Sequence, residues 1–247
     1  MRKFSSAKLH AMITHPAVAR MRAAEAAKYD SEYFRCHYWR EDLPGLTGNR
    51  GLHYDDPDHL NRFDFLFHAI IEQSPPRSLL DAGCGQGHLL TRALDRGIRS
   101  AGIDISEAAK DFFDSSTGAK YPSDSFTLCS LTDIPFPDRS FDLVLCLDVL
   151  EHLTIFDIFA AVSELVRVAR HRLICSINLD NPYYFHPSIL SAESWIALFE
   201  STGAARYLLK ETQFLRDKIA GRYEEYSMFV FDTSYVTIAE NVDDGSE

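Results

Sequence analysis

The sequence has little positive charge, no long apolar run and no paired cysteines. Lys and Arg number 25 against 36 Asp and Glu, so the formal net charge is −11 at pH 7. Because binding to a phosphate backbone needs clustered cations, this balance argues against nucleic acid as a partner. No apolar run reaches the roughly 18 residues of a membrane-spanning helix, and no signal-peptide pattern opens the sequence. We therefore expect no membrane partner and a cytoplasmic location.

The five cysteines are odd in number and widely spaced, and they contain no C-x-x-C pair. This pattern indicates neither a structural zinc site nor a disulfide framework. An apolar fraction of 46% supplies ample core for a folded protein, and 247 residues suit one α/β domain with a cap.

The most informative stretch runs from residue 78 to residue 90. An apolar run ends at Asp81, a loop with glycines at 83, 85 and 87 follows, and an amphipathic segment begins at His88. This order predicts a strand, a tight turn and a helix N-terminus, where glycines allow a ligand to approach the backbone and N–H groups face its polar end. A dinucleotide-binding G-x-G-x-x-G loop would need glycine at His88, so a nicotinamide cofactor is disfavoured.

Asp104 is the second anchor of the predicted site. It ends the predicted strand 100–104, a position from which an acid can accept both hydroxyls of a ribose. The alternative is that Asp104 only caps the following helix. Ser106 is itself a favourable N-cap for that helix.

Two longer patterns carry a family resemblance. The D-x-G-x-G-x-G loop at 81–87 resembles the first motif of class I S-adenosylmethionine-dependent methyltransferases. SFDLV at 140–144, followed by DVLEHL at 148–153, is similar to many small-molecule methyltransferases, and the resemblance spans about residues 63–203. It implies S-adenosyl-L-methionine as the cofactor and the following cofactor-binding residues: Asp81, Gly83, Cys84, Gly85, Gly87, Asp104, Ile105, Ser130, Leu131, Asp133 and Leu147.

The segment 130–138 resembles the family's adenine-binding loop with one departure. Where relatives usually carry Asp, this sequence has Ser130. A hydroxyl accepts a hydrogen bond less strongly than a carboxylate does, so Asp133 is kept as the alternative acceptor.

Three residues near the predicted methyl position are the catalytic candidates: His152, Asp148 and His186. For each histidine the alternative is a structural role, because many histidines in proteins are polar groups held in place by hydrogen bonds. Asp148, Glu151, His152 and His186 also offer oxygen and imidazole ligands to a divalent metal, which leaves a metal-assisted O-methyltransferase as an alternative. The sequence alone assigns no metal ligand.

An aromatic segment at 29–39 precedes the domain. It either packs on the domain as a helix or closes over the cofactor as a lid that supplies the acceptor pocket. In the second case the predicted substrate-binding residues are Tyr29, Tyr33, Tyr38 and Trp39.

The alternation of strand and helix patterns predicts an α/β fold. We expect a Rossmann-like, seven-stranded, mostly parallel sheet with helices on both faces, closed by an antiparallel C-terminal hairpin from segments 205–209 and 226–232. The predicted organisation is a helical N-terminal cap over 1–56, the S-adenosylmethionine-binding domain over 57–235, and an acidic tail over 236–247. Ligands of such sheets bind at the carboxyl ends of the strands, where the motif residues fall.

The expected function is methyl transfer from S-adenosylmethionine to a hydroxyl, or to an amine, of a small-molecule metabolite, as part of biosynthesis by family analogy. A peptide or protein methyltransferase and a catalytically silent nucleotide-binding scaffold are the alternatives. The expected partner is the small-molecule acceptor, and a homodimer is left open.

Overall fold

The computed structural model describes residues 16–36, 57–72, 75–180, 186–221 and 227–234. Within these residues, seven strands form one sheet in the order β3-β2-β1-β4-β5-β7-β6. Strands β1 to β5 run parallel, β7 is antiparallel to β5, and β6 is antiparallel to β7. The strands are β1 Ser78–Ala82, β2 Arg99–Asp104, β3 Phe126–Leu128, β4 Phe141–Leu147, β5 Ala169–Ser176, β6 Arg206–Tyr207 and β7 Met228–Asp232.

Helices precede, connect and follow these strands. They are α1 Pro16–Ala26, α2 Ser31–Cys36, α3 Pro57–Ile71, α4 His88–Asp95, α5 Glu107–Phe112, α6 Ile155–Val168, α7 Ala192–Glu200 and α8 Leu209–Ile219. A π-helical turn, Phe113–Thr117, continues α5, and a 3-10 turn, Leu150–His152, follows β4. None of the described helices is both long and apolar enough to cross a bilayer.

The sheet is covered on both faces. On one face, α6 and α7 bury apolar side chains that include Val162, Trp195 and Phe199. On the other face, α3, α4 and α8 contribute Leu66, Phe67, Leu89, Leu215 and Ile219. Because both faces are packed, the central strands β1 and β4 are almost continuously apolar and buried. The predicted Rossmann-like fold with helices on both faces is confirmed.

The C-terminal strands pair as predicted, but their connection differs. Segments 206–207 and 228–232 are antiparallel neighbours, whereas α8 lies between them in the sequence. Helix α8 forms because Thr212, Leu215 and Ile219 recur at helical spacing and are buried. The two strands are therefore not joined by the tight turn that a hairpin implies.

Serine caps fix where two helices begin. The Ser106 hydroxyl accepts the N–H of Ala109 at 3.1 Å, and the Ser191 hydroxyl accepts the N–H of Ser194 at 3.2 Å. The Ser106 cap was predicted from local sequence, because a serine ahead of a helix satisfies an otherwise unpaired N–H group. The Ser106 cap sets the N-terminus of α5 directly beside the end of β2.

Candidate active site

A cleft opens at the carboxyl ends of β1, β2 and β4, where about 890 Å³ of empty space, open solvent included, lies between the side chains. The glycine loop and β2 form its floor, the loops after β3 and β4 form one side, and α1 and α2 cover it. Its described lining residues are Arg22, Ala26, Tyr29, Tyr33, Phe34, Gly83, Gly85, Ile103, Asp104, Ile105, Cys129, Ser130, Leu131, Thr132, Asp148, Val149, His152, Leu153, Thr154 and Asp157. A mostly apolar wall with a few polar side chains is typical of a small-molecule site.

The glycine loop is held firmly against β2. The N–H groups of Gly83 and Cys84 both donate to the carbonyl of Ile103, at 2.8 and 3.0 Å. At the end of the loop, Gly87 has φ of 79° and precedes α4. A Cβ added there would lie 2.4 Å from the ring of Phe113, so the turn requires glycine for both backbone and space.

The Phe113 ring also meets a second glycine. A Cβ added at Gly118 would lie 2.3 Å from two atoms of the same ring. Phe113 is fully buried, and it packs on Phe126 of β3 with ring centroids 5.4 Å apart. The Phe113 side chain therefore packs against the turn before α4 and supports it.

Asp104 joins the loop to the helix that follows β2. Its Oδ2 accepts the N–H of Gly85 at 2.8 Å, and its Oδ1 accepts the N–H of Ser106 at 2.9 Å. Burial raises the pKa of the Asp104 carboxyl above its usual range, while these N–H groups act in the opposite direction. Asp104 thus bonds the backbone at the start of α5 and also lines the cleft; its contact with a ribose stays a prediction.

Asp81 lies beneath the loop, away from the described lining of the cleft. It is 3% exposed. Burial, and then the charge of Asp104, raise the pKa of Asp81 to about 7. A carboxyl in this position keeps its proton in mildly acidic solution.

On the side predicted for adenine, the structure separates the two alternatives. Ser130 lines the cleft, whereas Asp133 is exposed and lies outside the described lining. The Ser130 hydroxyl is within 2.9 Å of the Thr132 hydroxyl and accepts the Thr132 N–H at 3.2 Å. Ser130 is the better placed of the two predicted acceptors.

The aromatic cover is formed by α1, α2 and the turn between them. Tyr29 and Tyr33 line the cleft, and their rings meet edge to face at 4.9 Å. The Ser106 hydroxyl donates to the Tyr29 carbonyl at 2.5 Å, which ties the cover to the start of α5. The predicted contacts of Tyr38 and Trp39 lie outside the described residues.

An ion pair closes the cover against α6. Arg22 of α1 donates through Nε and Nη2 to Oδ1 of Asp157, at 2.8 and 2.5 Å. The hydroxyl of Thr154 donates to the other oxygen of Asp157 at 3.0 Å. Sequence reasoning missed Arg22 and Asp157 as site residues. The T-x-x-D pattern at 154–157 is typical of a helix start and involves Asp157, but nothing in the sequence indicates a partner 135 positions away.

The predicted catalytic residues gather at the far end of the cleft. His152 lines it, and its ring meets the ring of His186 at 4.7 Å and that of Tyr29 at 5.8 Å. Asp148 also lines the cleft, with φ of 54°, and its Oδ1 accepts a 2.5 Å hydrogen bond from the Ser176 hydroxyl. The structure therefore brings the two histidines together and draws Asp148 towards β5.

The remaining predicted cofactor residues lie off the described wall. Gly87 supports the turn, Leu147 is buried at the end of β4, and Cys84 packs against β2. Burial raises the pKa of the Cys84 thiol well above its usual range, so this thiol stays protonated. Their roles are structural in the free protein, and direct cofactor contact by them stays a prediction.

The charge of the cleft favours a cationic ligand. Among the described lining residues, the carboxylates of Asp104, Asp148 and Asp157 stand against the single guanidinium of Arg22. A dinucleotide would bring a diphosphate, which needs helix-terminal N–H groups and cations around it. The carboxylates would repel that group.

The fold and the cleft define an α/β protein with a cleft for a small-molecule ligand at its strand ends. Residues 80–175 match a family model described as a methyltransferase domain. A probable S-adenosylmethionine-dependent methyltransferase of Mycolicibacterium smegmatis is 30% identical over 172 residues, 64% of each chain. Ajmaline N-methyltransferase of Rauvolfia serpentina is 36% identical over 100 residues, 39% of this chain and 34% of that protein.

A solved structure has the same fold. It is N-methyltransferase NodS from Bradyrhizobium japonicum in complex with S-adenosyl-L-homocysteine, with a TM-score of 0.53 and 15% identity over 73% of this chain and 90% of that one. Residues 80–175 therefore match a methyltransferase domain, and the chain is similar to S-adenosylmethionine-dependent methyltransferases, which is the resemblance that the sequence motifs carry. The chain spans 64% and 34% of the two curated relatives, so the likeness covers the domain and not their full length.

Proposed function

We propose that the protein transfers a methyl group from S-adenosylmethionine to a hydroxyl, or to an amine, of a small-molecule metabolite, as a step of biosynthesis. The observation that carries this proposal is the acidic cleft at the strand ends, with the glycine loop at one end and the imidazole pair at the other. Its carboxylates complement a cofactor that carries a sulfonium and an ammonium group.

The proposed cofactor contacts follow the floor of the cleft. Asp104 is proposed to accept the ribose hydroxyls, and the adenine to lie beside Ile105, Ser130 and Leu131, which all line the cleft. Gly83 and Gly85 leave room for the methionine part to approach the backbone. When bound, S-adenosylmethionine supplies a methyl group that its sulfonium has already made electrophilic.

The protein's own work is then alignment, exclusion of water and removal of one proton. Tyr29 and Tyr33 give the acceptor an aromatic wall, and the cover limits access of solvent. His152 is proposed to take the proton of the acceptor, with His186 orienting its ring and Asp148 as the alternative base. The aromatic wall formed by Tyr29 and Tyr33 favours a small acceptor over a peptide, which would need a longer groove.

The first test is calorimetric titration of the cofactor-stripped protein with S-adenosylhomocysteine, beside Asp104→Ala. Micromolar binding (about −8 kcal/mol) that is lost in the variant supports the proposal. No binding by the parent protein would remove it and favour a scaffold role. Binding of a nicotinamide dinucleotide in its place would favour an oxidoreductase.

A further inference from the structure

A second cluster of ligand-type side chains lies next to the cleft. One ligand atom from each of Glu151, His152 and His186 lies within 4.8 Å of the other two. Ligand atoms on a tetrahedral zinc ion stand about 2.0–2.2 Å from it and therefore about 3.3–3.6 Å from one another. Shifts of about an ångström in each ligand atom would place all three on a common ion.

Burial and hydrogen bonding hold side chains of the cluster in position. Glu151 is 1% exposed, and its Oε1 accepts the N–H of Asn178 at 2.9 Å, which fixes the orientation of the carboxylate. His186 is 9% exposed, and its ring stands at 84° to that of His152. Buried carboxylates in proteins are paired with other groups or coordinate metal ions.

The composition of the cluster selects the ion. Two imidazoles and one carboxylate suit first-row transition ions, whereas Mg²⁺ and Ca²⁺ prefer oxygen alone. Three protein ligands leave a coordination position open, which is the arrangement of catalytic zinc sites. Asp148, whose side chain bonds Ser176, is not part of the cluster.

We propose that Glu151, His152 and His186 bind a divalent transition-metal ion at the acceptor end of the cleft. The part of this proposal that concerns catalysis rests on the proposed methyl transfer. It narrows the class of acceptor to hydroxyl compounds. His152 lines the cleft, so an ion on this side chain lies within reach of the acceptor and lowers the pKa of a hydroxyl bound there. With the ion bound, both imidazoles act as ligands, so the proton of the acceptor hydroxyl would pass to Asp148, the alternative base, which also lines the cleft.

The test uses the full chain after exhaustive chelation and dialysis. Zn²⁺ is titrated by calorimetry and Co²⁺ by its visible absorption, in the parent protein and in Glu151→Gln and His186→Gln. The matched control is His171→Gln, which removes an exposed histidine 3.8 Å from a carboxylate oxygen of Asp142, outside the cluster. Circular dichroism and thermal unfolding report whether each variant is folded.

We expect one ion per chain, about a hundredfold weaker binding in both cluster variants, and no change in the control. Co²⁺ should give the intense visible bands of a low-coordinate site, and these should vanish in Glu151→Gln. Equal binding by the parent and both folded cluster variants would overturn the site. Full methyl transfer by the chelated protein would overturn the ion's catalytic part. Because metal binding is read without cofactor, failure to bind S-adenosylhomocysteine would count against the proposed function alone.

Discussion

The carboxylate of Asp104 and the N–H of Gly85 form a 2.8 Å hydrogen bond between residues 19 positions apart. The same side chain accepts the N–H of Ser106 from the other direction. The glycine loop is thus fixed by an acid that also lines the cleft, so loss of the acid affects both the shape of the loop and the charge of the site.

Asp104→Asn should separate these effects from a simple loss of volume. The amide keeps one acceptor oxygen but turns an NH₂ group towards a backbone donor, at a cost of about 1–3 kcal/mol in unfolding free energy. S-adenosylhomocysteine should bind at least about tenfold more weakly, the equivalent of 1.4 kcal/mol. Calorimetry and thermal unfolding measure both. Asp111→Asn, at an exposed position on α5, is the control; unchanged affinity in Asp104→Asn would refute the assignment.

Asp81 should make stability depend on pH. Its pKa is about 7 in the folded protein against 3.8 as the ordinary value, so between these values the folded state binds more protons than the unfolded state. Stability contributed by this group is therefore lost as pH rises from about 4 to about 7.

Asp81→Asn removes this titration. Relative to the parent, the variant should gain unfolding free energy as pH rises, by at most about 4 kcal/mol between pH 4 and pH 8. Urea unfolding of the cofactor-free protein at four pH values measures the difference. Parallel curves for the two proteins would mean that Asp81 titrates normally, and Asp124→Asn, at an exposed position, controls for the change in net charge.

Gly87 and Gly97 offer a matched pair. Both have positive φ, 79° and 72°, but a Cβ at Gly87 meets the Phe113 ring, whereas a Cβ at Gly97 meets nothing within 4 Å. Gly97→Ala should cost about 1 kcal/mol for the backbone alone. Gly87→Ala should cost about 1–3 kcal/mol more for the overlap. Chemical denaturation of both variants gives the difference, and equal losses would show that the ring gives way freely.

The Arg22–Asp157 pair should couple the cover to α6. Their side chains are 28% and 7% exposed, so the pair is worth more than a surface ion pair, about 1–3 kcal/mol. A double-mutant cycle with Arg22→Gln and Asp157→Asn isolates this energy. Arg20→Gln, an exposed change on the same helix, is the control. We also expect faster release of S-adenosylhomocysteine from Arg22→Gln; a coupling energy near zero would mean that the cover is held by its aromatic contacts.

Much of the fold can be predicted from local sequence. The glycine loop, the acid at the end of β2 and the serine cap of α5 were all predicted, because each depends on residues within a few positions of one another. The buried central strands followed from their continuous apolar runs.

What the sequence did not predict depends on tertiary packing. Helix α8 is polar on much of its surface, and its Thr212 is buried only because it packs on β7, where its hydroxyl accepts the Val230 N–H. The pairing of Arg22 with Asp157 and the meeting of His152 with His186 join distant segments. A single sequence carries no signal for such pairs. It also left both Ser130 and Asp133 as possible acceptors for the adenine, and only the geometry of the loop shows that Ser130 is the one that lines the cleft.

The Phe113 ring occupies the space that a side chain would need at both Gly87 and Gly118. The three positions therefore constrain one another: while the phenylalanine is present, neither glycine can be exchanged without displacing it. A smaller residue at 113 would open space at both positions in one step. Sequence divergence at this corner accordingly has a preferred order, in which the ring changes first and Gly118 follows, whereas the positive φ of Gly87 still favours glycine.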